Sequence, residues 1–483
     1  MSIEYPKIWY IREFFLRNVY GVLFSPAFLK GQTLFKMEKK IKKAFLLGLV
    51  VSLLQWPGSS QVEAQDSEKI ERLEKRLETL EQKEKSRYKK GEKEILTYYK
   101  NGFKMRTRDN QFRAQVGGRI MHDWGFFSES GSFRSTFGEQ ENGARFRRVR
   151  FFMAGLLYKK VKYIFDIDVD GGTNGVTFKD MYIGVTRIPV LGNFQVGHFK
   201  RPASLDSLTS SKYLTFIERS LANTFFKTRN TGFAFFNHTF NEGLNWSVFI
   251  NKETSESPPD FQIDSDWNIT SRISGSPYYS EDGKAWVHLG ASWSYEKATD
   301  NQVTFKGARD TEITSTFITT GVISAREFNI IGLETAVNWH QFSLQGEYVI
   351  TDVKSDETTN GQLDGFYVQG SWYITGENRR YSGKKGVIVR FKPQENFNLN
   401  KKWSEGHGTG ALQLAVRYAE LDLNDRSAGI TGGEQKSLTL GLNWELNPMS
   451  RVMYNYVNSD FTSGTGTDNG TLASNIIRFQ VDW

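Results

Sequence analysis

Residues 476–483, the last of the chain, read Ile-Ile-Arg-Phe-Gln-Val-Asp-Trp, so apolar and polar residues alternate and the final residue is aromatic. Successive side chains of an extended strand point to opposite faces. Phe479 and Val481 therefore share one face, and Arg478 and Gln480 share the other. In a transmembrane β-barrel the apolar face of such a strand meets lipid and the polar face lines the lumen. The terminal stretch predicts a barrel that closes on this strand.

The composition fits a barrel better than a helical membrane protein. The chain has 483 residues, 39% hydrophobic content and a mean hydropathy of −0.49, and it contains no run of the ~20 apolar residues that a membrane helix requires. A barrel strand needs only ~9–11 residues, of which every second one is apolar. The aromatic content of 14% suits the girdles at membrane interfaces. Cysteine is absent, which excludes disulfide and thiolate chemistry.

Residues 37–64 have the three parts of a secretory signal peptide: a lysine-rich start, the apolar run Ala44–Leu54, and a small-residue cleavage site. We expect cleavage after Ala64. Because a signal normally begins at the initiator methionine, Met37 is the expected start, and residues 1–36 are then a non-native upstream extension. The alternative is a real cytoplasmic extension that carries an internal anchor.

Residues 65–92 have the pattern of a short periplasmic coiled coil. Ile70, Leu73, Leu77 and Leu80 are spaced three, four and three apart among Glu, Lys and Arg, as at the a and d positions of a heptad repeat. Two heptads are marginal for an isolated helix, but association of three copies would stabilise them. A solvated linker is the alternative.

Residues 95–483 show short alternating segments separated by Gly, Asn, Asp and Ser. Leu440, Leu442 and Trp444, for example, alternate with polar residues such as Asn443. A β-sandwich would have to expose those polar faces to water, so the pattern favours a barrel without excluding a sandwich. At roughly 24 residues per strand with its connection, the region accommodates about 16 antiparallel strands, the size at which a barrel encloses a water-filled channel.

Three polar insertions are too long for hairpin turns. They are Asn251–Ser271, Glu296–Thr314 and Ser459–Leu472, and we interpret them as external loops. Short turns should alternate with long loops in an outer-membrane barrel.

A set of motifs occurs in order between Gly117 and Gly232. They are Gly117–Ile120, Phe146–Arg150, Phe178–Ile183, Val196–Pro202, Leu205–Lys212 and Thr215–Ser220. This set resembles the phosphate-selective porin O/P family of Gram-negative outer membranes, and a weaker similarity continues to the last strand. The resemblance implies a homotrimer of 16-stranded barrels, each with a pore narrowed by an inward-folded loop that includes Leu205–Arg219. It also implies basic residues at the constriction that attract small anions such as phosphate.

Alternation and the resemblance together give the candidate site. Val149 and Phe151 are assigned to the lipid face, so Arg148 and Arg150 point into the lumen, with Arg147 at the edge of the strand. The resemblance places basic pore positions at Arg119, Arg147, Arg148, Lys162 and Arg219, with Lys200, Arg201 and Lys212 in or beside the loop. Guanidinium groups stay charged and bind oxyanions through planar forks. The alternative is that these cations pair with Asp166, Asp168, Asp180 or Glu218 and only fix the loop.

Asp180 has a separate expected role. Alternation points it inward, and the resemblance puts it near the constriction, where a carboxylate would weaken anion binding and speed release. Ser207 stands where phosphate-specific members have a loop lysine, and the region 296–314 lacks a dense arginine ladder. The selected species therefore stays open between phosphate, pyrophosphate or polyphosphate, and small anions in general, and a weakly selective porin is also open.

The sequence contains no strong catalytic or metal-binding signature. The histidines are scattered, and Asp166, Asp168 and Asp170 resemble the start of a calcium loop whose twelfth position would be Thr177 rather than Glu. Gly406-x-Gly408-x-Gly410 is interpreted as a turn. We expect no cofactor, no nucleic-acid partner and no enzymatic activity. The rival hypotheses are a barrel enzyme and a plugged structural or adhesive barrel.

Overall fold

The computed structural model describes residues 62–89, 94–100, 102–169, 175–252, 266–355, 359–400, 408–466 and 469–483. The predicted upstream extension 1–36 and residues 37–61 of the predicted signal peptide lie outside this set, as does Asp170. The chain divides into two units, Met1–Lys93 and Glu94–Trp483. Each unit is described by itself.

The first unit contains helix α1, Val62–Lys89. Leu73, Leu77 and Leu80 on this helix are 65%, 62% and 62% exposed. The association of several copies through these leucines stays a prediction. In the part of the chain that the structure describes, no helix is long and apolar enough to cross a membrane.

The second unit consists mainly of β-strands. They are β1 (Ile95–Tyr99), β2 (Phe103–Thr107), β3 (Arg113–Glu129), β4 (Gly143–Leu157), β5 (Val161–Asp168), β6 (Thr177–Ile188), β7 (Gly192–Lys200), β8 (Arg229–Thr239), β9 (Leu244–Lys252), β10 (Asn268–Tyr279), β11 (Ala285–Lys297), β12 (Gln302–Val303), β13 (Ile323–Trp339), β14 (Phe342–Ser355), β15 (Gly361–Tyr373), β16 (Arg380–Ser382), β17 (Val387–Val389), β18 (Ala411–Asp425), β19 (Ile430–Asn447), β20 (Ser450–Thr462) and β21 (Asn469–Asp482). Two short helices, α2 (Gly131–Phe137) and α3 (Leu205–Leu208), lie in loops.

Sixteen of these strands form a closed antiparallel barrel. Each of β3–β11, β13–β15 and β18–β21 pairs with its neighbour, and β21 pairs with β3 to close the ring. The predicted strand number and closure on the terminal strand are confirmed. The backbone of Trp483 exchanges hydrogen bonds of 3.1 and 3.2 Å with Gly118. A Cβ atom on Gly118 would lie 2.4 Å from the Trp483 ring, so this junction requires glycine.

Strand β21 shows the alternation that its sequence predicts. Phe479 and Val481 are 52% and 42% exposed on the outer face, whereas Arg478 and Gln480 are buried inside. The outward apolar positions meet hydrocarbon in an outer-membrane barrel, and the inward positions face the lumen.

Two of the predicted external loops differ in the structure. Within Ser459–Leu472, strand β20 runs to Thr462 and β21 begins at Asn469, because the alternating pattern continues through these polar residues. The connection between them is therefore short. Within Glu296–Thr314, strand β11 runs to Lys297, and the rest belongs to a segment, 298–322, that folds into the barrel instead of projecting outward. Its Phe305 and Ile318 are 5% and 2% exposed, because they pack against apolar residues of the wall.

The opposite end of the barrel carries mainly short turns, with one long exception. Residues 374–410 connect β15 to β18 and include the hairpin of β16 and β17, which enters the barrel. Trp286 of β11 stacks on Tyr381 of the hairpin at a centroid distance of 4.9 Å and donates a 2.9 Å hydrogen bond to the carbonyl of Arg379.

The inserted loops create a hydrophobic core inside part of the barrel. Phe225, Phe305 and Ile318 from the loops pack with lumen-facing wall residues such as Ile330 and Leu421, all of them 5% exposed or less. Burial of this apolar surface fixes the loops against one side of the wall.

Candidate functional site

The loop that carries the candidate site, residues 201–228, is bound to the wall through its own backbone. Arg451 Nη1 donates to the Leu214 carbonyl at 2.9 Å, and Arg417 Nη1 donates to the Glu218 carbonyl at 3.0 Å. Arg478 Nη1 donates to the carbonyl of Ile217 at 2.6 Å. These arginines on β18, β20 and β21 satisfy buried carbonyl groups, so they hold the loop across the lumen.

Glu218 in this loop is the centre of a buried ion-pair network. Its carboxylate accepts hydrogen bonds from Arg147 at 2.7 and 3.1 Å and from Arg478 at 2.8 Å, and it lies 3.6 Å from Arg148. Arg478 also forms a bidentate pair with Asp123, with both distances 2.6 Å. Burial opposes ionisation of Glu218, yet the three guanidinium groups outweigh it and hold the pKa of this carboxyl well below its usual range.

A β-bulge explains how two consecutive arginines reach this network. Met121 on β3 pairs with Arg148 and the next residue, His122, pairs with Phe146, so Arg147 is the extra residue. A bulge lets adjacent side chains point to the same face. The sequence interpretation that put Arg147 at the edge of the strand is therefore wrong, because Arg147 contacts Glu218 inside the barrel. Simple alternation cannot locate a bulge.

A second group of cations, which we name the basic cluster, surrounds the start and the return of the same loop. Its members are close enough to act on one another electrostatically, with Asp166 and Asp180 among them. The basic cluster comprises Arg119, Arg150, Lys200, Arg219 and Arg229.

Each cation of the basic cluster has a defined contact. Arg119 Nη1 donates to Ser211 Oγ at 2.6 Å, and Arg150 Nε donates to Asp168 at 2.6 Å. Lys200 Nζ donates to the carbonyl of Ser207.

Arg219 and Arg229 complete the cluster from the loop's return. Arg219 donates hydrogen bonds to the backbone carbonyls of Asp206, Ser207 and Thr209 at 2.9, 3.2 and 2.8 Å. It thereby caps the C-terminal end of α3, and its acceptors in these bonds are carbonyl groups rather than carboxylates. Arg229 Nε donates to Asp180 at 2.9 Å. In these bonds Arg150 and Arg229 contact carboxylates, whereas Arg119, Lys200 and Arg219 contact a hydroxyl or carbonyl oxygen of the loop.

Three further predicted site residues, Lys162, Arg201 and Lys212, make contacts outside the Glu218 network and the basic cluster. Lys162 Nζ lies 4.7 Å from the centroid of the Tyr182 ring. Arg201 is buried in an ion pair with Glu296 at the start of the loop.

Lys212 lies 3.2 Å from Asp482 of the terminal strand. Burial lowers the pKa of Lys212 to about 8, although Asp482 opposes this shift. Lys212 and Arg201 thus attach the loop to the barrel wall at β21 and β11.

Sequence reasoning missed several residues of the site. Arg229 directly follows the loop and was not singled out, although its partner Asp180 was expected near the constriction. Arg417 and Arg478 were visible as polar residues on the inner faces of their strands, but their bonds to loop carbonyls depend on the folded path of the loop.

The comparison with known protein families decides the identity of the fold. Residues 115–483 match the family model of phosphate-selective porin O and P. The chain belongs to this family. It is an outer-membrane β-barrel porin, and both the family and the fold indicate a channel.

The individual relatives share less than a third of their residues with this chain. The porin is 24% identical to Porin O of Pseudomonas aeruginosa over 416 residues, which cover 78% of this chain and 90% of that protein. It is 28% identical over 349 residues to an uncharacterized protein of Caulobacter vibrioides, with coverage of 68% and 65%. Among solved structures, an anion-selective porin from Comamonas acidovorans has a TM-score of 0.48 at 12% identity, with coverage of 77% and 100%.

Proposed function

We propose that this porin is a passive channel for small anions and that the loop 201–228 forms its constriction. The observation that carries the proposal is the basic cluster, in which Arg119 and Lys200 of the wall and Arg219 of the loop all contact the stretch 207–211. Such a cluster in a narrow, low-dielectric passage attracts anions and raises their local concentration.

The predicted site residues divide into two roles in this proposal. Arg119, Arg150, Lys200 and Arg219 bind the passing anion, with Arg229 as a further member of the cluster. Arg147, Arg148, Arg201 and Lys212 mainly position the loop through carboxylates, and Lys162 extends the positive surface along β5.

Asp180 tunes the affinity of the passage. Its hydrogen bond with Arg229 occupies one guanidinium group and places a negative charge beside the other cations. Conduction requires binding that is strong enough for entry and weak enough for release. A carboxylate at this position keeps the anion from being trapped.

We propose phosphate-like oxyanions as one class of permeant ion, without exclusive phosphate specificity. Arginine forks match the oxygens of phosphate, and the relative Porin O and the family description support this class. Ser207 contributes no charge to the loop, which supports a broader anion preference.

We further propose that the porin is a homotrimer and that α1 forms a parallel three-stranded coil. The exposed Leu73, Leu77 and Leu80 support this proposal, since they would be buried between three copies. Cross-linking of the purified protein would test it, with a monomer as the contrary result.

A plugged structural barrel is the second candidate. The hydrophobic core between the inserted loops and the wall favours it, because this core fills part of the lumen. The two candidates differ in whether water and ions pass along the basic cluster.

Planar-bilayer recording in a salt gradient tests the proposal. We expect stable conductance steps and a reversal potential near the chloride equilibrium potential, with Arg219→Gln and Lys200→Gln reducing anion preference and Asp180→Asn increasing it. Lys436→Gln is a matched control, because Lys436 pairs with Glu434 on the outer face. Absence of conductance would support the plugged barrel, and permeability ratios that do not move in the variants would refute the assigned constriction.

A further inference from the structure

The tip of the inserted segment 298–322 is fixed firmly inside the barrel. Asp310 Oδ2 accepts hydrogen bonds from Gln435 at 3.0 Å, Ser437 at 3.1 Å and Ser459 at 2.7 Å. These donors lie on the inner faces of β19 and β20. Because Asp310 fixes the backbone, the neighbouring residues 309–312 have a defined place in the lumen.

Glu312 at this tip lies among three guanidinium groups. Its carboxylate accepts a 3.1 Å hydrogen bond from Arg147 Nη2 and pairs with Arg309. Its backbone carbonyl accepts a 2.6 Å hydrogen bond from Arg145 Nη1. Arg147 and Arg145 belong to the wall strand β4, whereas Arg309 belongs to the segment itself.

Two carboxylates that contact Arg147 differ in their access to water. The side chain of Glu218 is 8% exposed and pairs with three arginines. The side chain of Glu312 is 24% exposed, and its partner Arg309 is 34% exposed. Ion pairs that are open to solvent contribute little net stability, so an external anion can displace Glu312 at small cost.

Arg147 holds Glu218 through Nε and Nη2 and donates one further bond from Nη2 to Glu312, and a phosphate oxygen accepts from a guanidinium group in the same way as this carboxylate oxygen does. We propose that Arg147 and Arg309 form a second anion-binding site above the constriction, and that Glu312 is an internal competitor that occupies it in the unliganded protein. This inference rests on the proposed function. A permeating oxyanion replaces the Glu312 carboxylate, and Glu312 returns when the anion moves on.

Inorganic phosphate tests this site through its block of the chloride current. Glu312→Gln removes the competing charge and keeps the size of the side chain, so the half-blocking phosphate concentration should fall about fivefold, the order expected for loss of one solvent-accessible ion pair. The control Glu139→Gln removes a carboxylate that pairs with Arg134 in another loop, and it should leave the half-blocking concentration unchanged.

A second arginine variant separates this site from a general charge effect. Arg309→Gln should raise the half-blocking concentration, and Glu312→Gln with Arg309→Gln should return it close to the wild-type value. An unchanged phosphate block in both single variants, with wild-type anion preference intact, would overturn the inference while leaving the proposed function standing. A wild-type channel without anion preference would instead overturn the proposed function.

Discussion

The two sides of the barrel interior are built in opposite ways. On the charged side, formed by β3–β8, lumen-facing residues such as Arg150, Asp168 and Asp180 carry ion pairs around the loop 201–228. On the filled side, formed by β13–β15, β18 and β19, the lumen-facing residues Ile330 and Leu421 are fully buried in a hydrophobic core. Loops that fold into a barrel thus convert part of its lumen into a hydrophobic protein interior, while the charged side keeps its ion pairs.

The buried ion pairs of the charged side should give the largest effect when broken. Glu218→Gln leaves Arg147, Arg148 and Arg478 without their shared carboxylate, and removing one partner of a buried pair costs about 3–5 kcal/mol. Equilibrium unfolding in urea measures the change in the free energy of unfolding. The exposed control Glu139→Gln should have the wild-type free energy of unfolding. An equal decrease of this free energy in both variants would contradict a stabilising role of the Glu218 network.

The hydrophobic core of the filled side should be nearly as sensitive. Ile330→Ala creates a cavity beside the inserted loops and should lower the free energy of unfolding by about 2–5 kcal/mol. Because the loops would lose part of their anchor, single-channel current noise should also increase. The outward-facing Ile331, which is 40% exposed, supplies the control Ile331→Ala. A larger loss of unfolding free energy in Ile331→Ala than in Ile330→Ala would contradict the assignment of Ile330 to the hydrophobic core.

A smaller effect concerns the pH dependence of the charged side. Burial lowers the pKa of Lys212, which lies in the loop 201–228, to about 8. A lysine is charged below its pKa and neutral above it, so Lys212 should lose its positive charge between pH 7 and pH 9. We expect a modest decrease of anion preference over this range.

Reversal potentials at several pH values measure this decrease. The variant Lys212→Gln should show little change between pH 7 and pH 9, because it lacks the titrating group. If anion preference decreases in Lys212→Gln as much as in the wild type, another residue titrates in this range.

The sequence predicted the barrel better than it predicted the interior. Alternation predicted a barrel because lipid imposes a regular pattern on the outer face, and the length per strand together with the family resemblance predicted sixteen strands. On the filled side, Ile330 faces inward and the adjacent Ile331 faces outward, although both are apolar. Apolar and polar residues do not alternate at this point, so the sequence does not show which wall residues face water and which face an inserted loop.

The site was predictable in kind but not in its pairings. The basic residues and Asp180 were found from alternation and from the family resemblance, whereas the bulge at Arg147 and the partner Arg229 required the register of the strands. The inward course of 298–322 was also missed, because its charged residues suggested a solvated loop. Asp310 and Glu312 are instead satisfied by donors from the wall.

Thiol modification of single-cysteine variants in a planar bilayer tests most directly whether ions pass along the charged side. The natural chain contains no cysteine, so each variant reports one position. Lys162 is partly exposed on β5, and Val353 is buried on β14 of the filled side. We predict that a negatively charged, thiol-specific reagent reduces the current through Lys162→Cys and does not affect Val353→Cys. Rapid modification of Val353→Cys together with an unreactive Lys162→Cys would contradict this account of the pore.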